Sequence, residues 1–346
     1  MEDSKVNIHP CWTFNSFFIL FNVLRQIISL RPDRVFFNIH FLSFGDKKIA
    51  AALGLLMPML CKWLGFPSIV LLHNITETVD LKSAGITNNA FLQKIYGAIG
   101  TLLTKIILQA SFVTLTISKY VEILEEKYGA KNIALVPHGS FETPPLPSYQ
   151  EKEEVNIMTF GKFGTYKKVE NLIEAVDVVR RKLSQKIKLV IAGTDSPNMK
   201  GYLKAVAKKY SHIQNVEFTG YVEEEDVPKV FTESDMVVFP YTSTTGSSGV
   251  LHQAGSYGRA AILPNIGDLK SLSEEEGYTG EFFDPAKKED LASSIEKLVL
   301  NKAYRKSLGE QNYVAAASLP MNDICDWYLL HFYRLNETQA GFMRAA

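Results

Sequence analysis

Two series of short apolar runs, each run followed by a helix-period pattern, take up most of the chain. The first series lies at 34–41, 68–72, 112–117 and 133–136. Its runs are rich in β-branched and aromatic residues, which predicts buried strands. Before and between them, 14–30 carries Asn15, Asn22, Arg25 and Gln26 among apolar residues, and 94–110 carries Lys94 and Lys105 among aliphatic ones; both read as amphipathic helices. The second series lies at 156–160, 188–192, 216–219, 236–240 and 260–263, with helices predicted over 200–210, 226–232, 290–300 and 323–335. Strands that alternate with helices predict parallel, doubly wound α/β sheets. The break between the series is Pro137-His138-Gly139, then Pro144, Pro145 and Pro147, then a charged run from Glu151 to Glu154. Expected boundaries are therefore an N-terminal domain at 1–143, a linker at 144–154, a C-terminal domain at 155–318 and a closing helical segment at 319–346. Two α/β domains of similar size predict a ligand cleft between them.

The strongest candidate chemistry follows the first strand of the second series. The apolar run ends on Gly161; Lys162 follows at once, Lys167 comes five residues later, and Val169, Leu172, Ile173, Val176 and Val179 then recur at helical spacing. A strand, a glycine turn, two lysines and a helix start form an anion site, because free N–H groups, a dipole end and full charges converge there. The alternative is a surface turn with solvated lysines. A second stretch of small residues, from Tyr241 to Gly249, precedes a helical run, and Ser247, Ser248 and Gly249 suit a phosphate for the same reasons. His73 ends a strand at the carboxyl edge, where α/β proteins bind ligands, and Asn74, Glu77 and Asp80 lie nearby as candidate acceptor contacts. His138 reads as structural, and Asp268 with Glu274, Glu275 and Glu276 as a solvated loop that suggests no metal site.

Composition narrows the classes. The 346 residues are 46% hydrophobic and 21% charged, which excludes a disordered chain. Lys plus Arg and Asp plus Glu both total 37, so no net charge draws the chain to nucleic acid. Cys11, Cys61 and Cys325 are scattered, which suits a reducing, cytoplasmic compartment without a disulfide framework. The start, Met-Glu-Asp-Ser-Lys, is not signal-like, so the sequons at Asn74 and Asn336 read as chance. The run at 50–61 is too short to span a bilayer, and Pro58 interrupts it; attachment to the inner face of a membrane through basic amphipathic helices stays open beside plain burial.

The order of these pieces resembles the retaining GT-B glycosyltransferases of family four. Arg31-Pro32-Asp33 before a strand, Ile117-Ser118-Lys119, Val136-Pro137-His138-Gly139, Gly161-Lys162 with Lys167, Phe218-Thr219-Gly220 and Glu233-Ser234-Asp235 fall in the family's order. The resemblance implies a GT-B fold of two Rossmann-like domains. It implies transfer of a sugar, usually a hexose, from a nucleoside-diphosphate-sugar to a glycan or lipid-linked hydroxyl, as in polysaccharide biosynthesis, with no cofactor or metal. Lys162 and Lys167 would hold the donor diphosphate beside Gly161, His73 would position the donor sugar, and Gly193, Thr194 and Asp195 would lie near the nucleotide base. The family's two glutamates, separated by seven residues, fall on Thr245 and Gln253, with Lys168 where the family has glycine. The family's opening strand–loop–helix unit is expected to be missing. A non-catalytic GT-B subunit is therefore the second reading, and a nucleotide-sugar epimerase the third.

Overall fold

The computed structural model of the chain describes residues 6–345 except 42, 46, 79–88, 142–143, 147–148, 150–151, 244–247 and 268, and gives only the backbone for residues 288 and 336–345. The chain divides into two compact units, Met1–Val136 with Phe332–Ala346, and Pro137–His331.

In the first unit, α1 (Ile19–Leu30) leads to β1 (Val35–Ile39), and α2 (Lys48–Leu55) and α3 (Met57–Trp63) precede β2 (Ser68–Leu72). Pro58 lies in the first turn of α3, where a missing N–H costs nothing, so the apolar run at 50–61 becomes two helices. A 3-10 turn at Thr76–Thr78 and the long α4 (Ala90–Ile107) follow, then β3 (Phe112–Leu115), α5 (Ser118–Tyr128) and β4 (Ile133–Leu135). Asn89 caps α4, its side chain accepting from the N–H groups of Phe91 (2.9 Å) and Leu92 (3.3 Å). The four strands are parallel in the order β1-β2-β3-β4, with β1 at an end. Ile69, Val70 and Leu72 of β2 are wholly buried, as a strand covered on both faces must be.

The second unit holds a six-stranded parallel sheet, order β10-β9-β8-β5-β6-β7. Its elements are β5 (Glu154–Phe163), α6 (Glu170–Lys182), β6 (Lys186–Asp195), α7 (Tyr202–Lys209), β7 (Val216–Gly220), α8 (Val227–Glu233), β8 (Met236–Val238), α9 (Gly249–Ser256), β9 (Ala260–Pro264), α10 (Leu269–Glu275), β10 (Glu281–Phe283), α11 (Lys288–Leu300) and α12 (Lys302–Ala317); α13 (Met321–Ala345) closes the chain and passes into the first unit at Phe332. Neighbouring strand residues feed opposite layers. Val155 and Ile157 of β5 join Leu172, Val176 and Ile295 in one core, while Met158 joins Leu251, Ala254 and Leu269 in the other.

Two expectations change here. The divide falls after Val136, and the segment read as a linker belongs to the second unit: Tyr313 donates its hydroxyl to the Pro144 carbonyl (2.7 Å), and Tyr149 donates to that of Gly258 (2.8 Å). The acidic run at 274–276 is only partly solvated: Glu274 and Glu275 are exposed at the end of α10, whereas the Glu276 side chain is only 5% exposed. Asp268 lies outside the described residues.

Candidate functional site

The Gly161 segment is built by sheet pairing. Gly161 continues β5 and pairs in register with Gly193 of β6. Both have positive φ, +139° and +135°, which side chains rarely adopt. A Cβ on Gly193 would lie 1.9 Å from the Gly161 carbonyl oxygen, so only glycine permits this approach. After Phe163 the chain turns back: Gly164 N–H donates to the Lys167 carbonyl (2.9 Å), Lys168 N–H to that of Pro240 (3.2 Å), and Thr242 N–H to that of Tyr166 (2.8 Å). Lys167 also bridges Tyr241 in antiparallel fashion. The turn is thereby pinned to the chain leaving β8.

That anchoring directs Lys167 inward. Its Nζ would sit 3.0 Å from a Cβ on Gly161 and lies 4.7 Å from the centre of the Tyr241 ring, within cation–π range. Burial lowers the Lys167 pKa, because a desolvated ammonium is less readily charged. Tyr241 is buried, and its hydroxyl makes no full hydrogen bond but faces Ser248. Tyr241 thus connects Lys167 to the start of α9, where Ser248 is the extended N-cap residue and Gly249 the first helical one. The Ser248 side chain makes no capping bond, and the Leu251 N–H donates to the Ser248 carbonyl (2.8 Å), so the Gly249 and Val250 N–H groups are the ones an anion would meet. Lys162 is exposed at the end of β5, and Gln253 is half-buried on α9. Thr245 and Ser247 lie outside the described residues.

Beneath the first turn of α9 is a cluster that the sequence reading missed. His252 is buried; its Nδ1 lies 2.9 Å from the Tyr278 hydroxyl and its Nε2 3.2 Å from a Glu276 carboxyl oxygen. The His138 ring stacks on that of His252 at 4.5 Å, and its Nδ1 is 2.9 Å from the Gly139 carbonyl oxygen, which can only accept, so Nδ1 carries the hydrogen. A Cβ on Gly249 would lie 3.9 Å from the His138 Cε1 and Nε2 atoms, so this ring borders the first turn of α9. Burial drives His252 down to about 3 and Glu276 up to about 8. The proton therefore rests on Glu276, and the pair is a neutral contact rather than a buried ion pair. His252 stands in an apolar helix and its partners come from 24 or more residues away, so only its place three residues after Gly249 hinted at it.

Other expected residues also have partners within the fold. The Asp195 carboxylate accepts from the N–H groups of Gly201 (2.6 Å) and Leu203 (2.8 Å), which caps α7. Gly193 N–H donates to the Thr219 hydroxyl at 3.2 Å, and Thr194 pairs with Lys162 in the ladder. In the first unit, His73 follows β2, with Nε2 2.6 Å from the Asn38 side-chain oxygen. Asn74 accepts from the Phe41 N–H (3.2 Å) and so fixes the exit of β1. The Glu77 carboxylate, expected to meet an acceptor, is buried against the Tyr128 hydroxyl, Lys127 and Thr104. Asp80 lies outside the described residues. Among the described residues, no helix is long and apolar enough to cross a membrane.

Residues 147–314 match the family described as glycosyl transferases group 1. An uncharacterised glycosyltransferase of Methanocaldococcus jannaschii is 27% identical over 216 residues, 60% of this chain and 54% of that protein. A second from the same organism is 24% identical over 157 residues, 45% of this chain and 38% of that protein. The chain thus aligns with about half of the first and less of the second. Among solved structures, sucrose-phosphate synthase from Thermosynechococcus elongatus superposes with a TM-score of 0.71 at 17% identity, covering 92% of this chain and 77% of that one. Anabaena HepE, solved with UDP-glucose, gives 0.65 at 14% identity, covering 95% and 85%. With the paired glycines, the anchored lysine turn and two parallel sheets, these matches show a glycosyl transferases group 1 segment over residues 147–314 and give the chain the GT-B fold.

Proposed function

We propose that the chain is a retaining transferase that moves a sugar from a nucleoside-diphosphate donor to a hydroxyl of a glycan or lipid-linked acceptor. The observation that carries this reading is the Lys167 ammonium held over Gly161 and against Tyr241, whose hydroxyl faces the N-cap of α9. A diphosphate placed there meets a fixed cation and a helix N-terminus together. Lys162 adds a second cation from the end of β5. As the bond to the anomeric carbon breaks, negative charge grows on the leaving diphosphate, and fixed cations stabilise that charge more than the ground state. Retention follows if the acceptor hydroxyl attacks from the face the diphosphate leaves, with a leaving-group oxygen taking its proton. His73 is assigned to the donor sugar. Gln253 is assigned to the ribose hydroxyls, as a neutral amide in place of a carboxylate. Thr245 is assigned to the donor sugar, Ser247, Ser248 and Gly249 to the diphosphate end, and Gly193 to the base side.

Because HepE was solved with UDP-glucose, uridine donors are the first to test. UDP-glucose labelled in the sugar is incubated with glycan and polyprenol-linked acceptors, and both sugar release and product anomer are followed. The reading predicts transfer with the donor's anomeric configuration, and a drop in kcat/KM of about 100- to 1,000-fold in Lys167→Ala. An inverted product contradicts retention. The second reading, a subunit that binds nucleotide without turnover, is favoured by the neutral Thr245 and Gln253 at the family's glutamate positions. Nucleotide binding without release from any donor sugar supports it.

A further inference from the structure

The helix α4 carries its amphipathicity the wrong way round for a helix that faces water. Its buried residues are Gly100, Thr104 and Ile107. Phe91, Ile95, Ile99 and Leu102 fall within about 80° of one another on the opposite side, at about 100° per residue. These four are between 38% and 70% exposed. A globular helix normally presents polar residues there, and the stripe is continuous over about three turns. Lys94 and Lys105 flank it along one side, and no acidic residue occurs in the helix. The same bias extends to its neighbours: α1, α2, α3 and α4 together hold Arg25, Lys48, Lys62, Lys94 and Lys105 and no Asp or Glu. Lys48 of α2 reaches Tyr96 of α4, which sets a further cation beside the helix. The whole chain is neutral, so this positive charge is local to one surface.

We infer that the outer face of α4 docks on an anionic lipid surface, with Phe91, Ile95, Ile99 and Leu102 entering the acyl boundary and Lys94, Lys105 and Lys48 meeting lipid phosphates. An apolar face edged by cations suits a helix that lies in the interface plane. A protein partner would need matching acidic residues, and a second copy of this chain would bring cation against cation. The surface belongs to the first unit and owes nothing to the lysine turn of the second, so the inference stands apart from the transfer reaction.

The test is co-sedimentation of the full chain with vesicles of phosphatidylcholine alone and of phosphatidylcholine with phosphatidylglycerol. The expected result is binding to the anionic vesicles, weakened by salt, and at least about tenfold weaker binding to the neutral ones. Ile95→Glu/Leu102→Glu should abolish it, and Lys94→Gln and Lys105→Gln should each weaken it by about fivefold. Val314→Glu, an equally exposed change on α12 of the second unit, should leave it intact, and all variants should keep the parent melting temperature. Three outcomes overturn the inference: no sedimentation with anionic vesicles, equal binding by Ile95→Glu/Leu102→Glu, or a dimer in light scattering that this variant dissociates, which would make the face a subunit interface.

Discussion

Gly161 and Gly193 look alike in the sequence and differ in what they tolerate. A Cβ on Gly161 would press on the far end of a flexible lysine at 3.0 Å, whereas one on Gly193 would meet a backbone oxygen at 1.9 Å. Gly161→Ala should therefore fold, with a loss of about 1–3 kcal/mol for its left-handed backbone, and should displace the Lys167 ammonium. Donor affinity would fall by about tenfold or more, as expected when one charge-assisted contact is lost. Gly193→Ala should fail to give a stable protein, because the approach of β5 to β6 depends on it. Thermal melts and nucleotide titration of the two variants check this; a Gly161→Ala protein that binds nucleotide like its parent would separate the turn from the ligand. The lysine pattern at this turn was legible in the sequence because it is local. The pairing of the glycines was not. Gly161 reads as the end of a strand, yet β5 runs on to Phe163, because two positive-φ glycines side by side keep the ladder going.

At the scale of elements, α9 is held in place by α12. The Asn312 side chain donates to the Arg259 carbonyl (3.1 Å) and accepts from the Thr279 N–H (2.7 Å), in full burial. A Cβ on Gly255 would meet the Asn312 carbonyl oxygen at 2.7 Å and a Tyr278 ring carbon at 2.6 Å, so α9 and α12 touch almost backbone to backbone. Asn312→Ala leaves two buried backbone groups without partners and should cost about 2–4 kcal/mol, read as a lower denaturant midpoint at unchanged m. A cost under about 0.5 kcal/mol would mean that water or a shift of α12 replaces the amide. Most strands were legible because their apolar runs are short, aromatic or β-branched, and bounded by turns. The sheet also holds β10, three residues long, and the acidic end of α10 hides the apolar face made by Leu269 and Leu272. Elements that short or that charged leave no periodic signal. The contact of His252 with Glu276 and Tyr278 is tertiary and has no sequence signature.

That buried pair sets a pH dependence for the whole molecule. Unfolded, His252 titrates near 6.5 and Glu276 near 4.5; folded, they move to about 3 and about 8. Between about pH 4.5 and 6.5 each form holds one proton on the pair, so stability is level. Above 6.5 the folded form keeps a proton that the unfolded form has lost, and stability declines by about 2 kcal/mol up to pH 8. Below 4.5 the unfolded form binds two protons to the folded form's one, and stability declines again towards pH 3. Glu276→Gln should remove the alkaline decline and start the acid one near pH 6.5 instead of 4.5, because His252 alone then takes up a proton on unfolding. Melting temperatures from pH 4 to 9 decide this, and parallel alkaline limbs in parent and variant would place the pH dependence elsewhere.

The central claim is that the turn from Gly161 to Lys167 and the start of α9 hold a nucleoside diphosphate. The most direct test is the thermal stability of the full chain with UDP, GDP, ADP and their sugar conjugates, each at about a hundred times its dissociation constant, where one bound ligand adds about 2.7 kcal/mol. A shift with one base that Lys167→Ala reduces sharply, while the variant keeps the parent's ligand-free stability, is the predicted result. An equal shift in parent and Lys167→Ala, or none with any nucleotide, would contradict the claim.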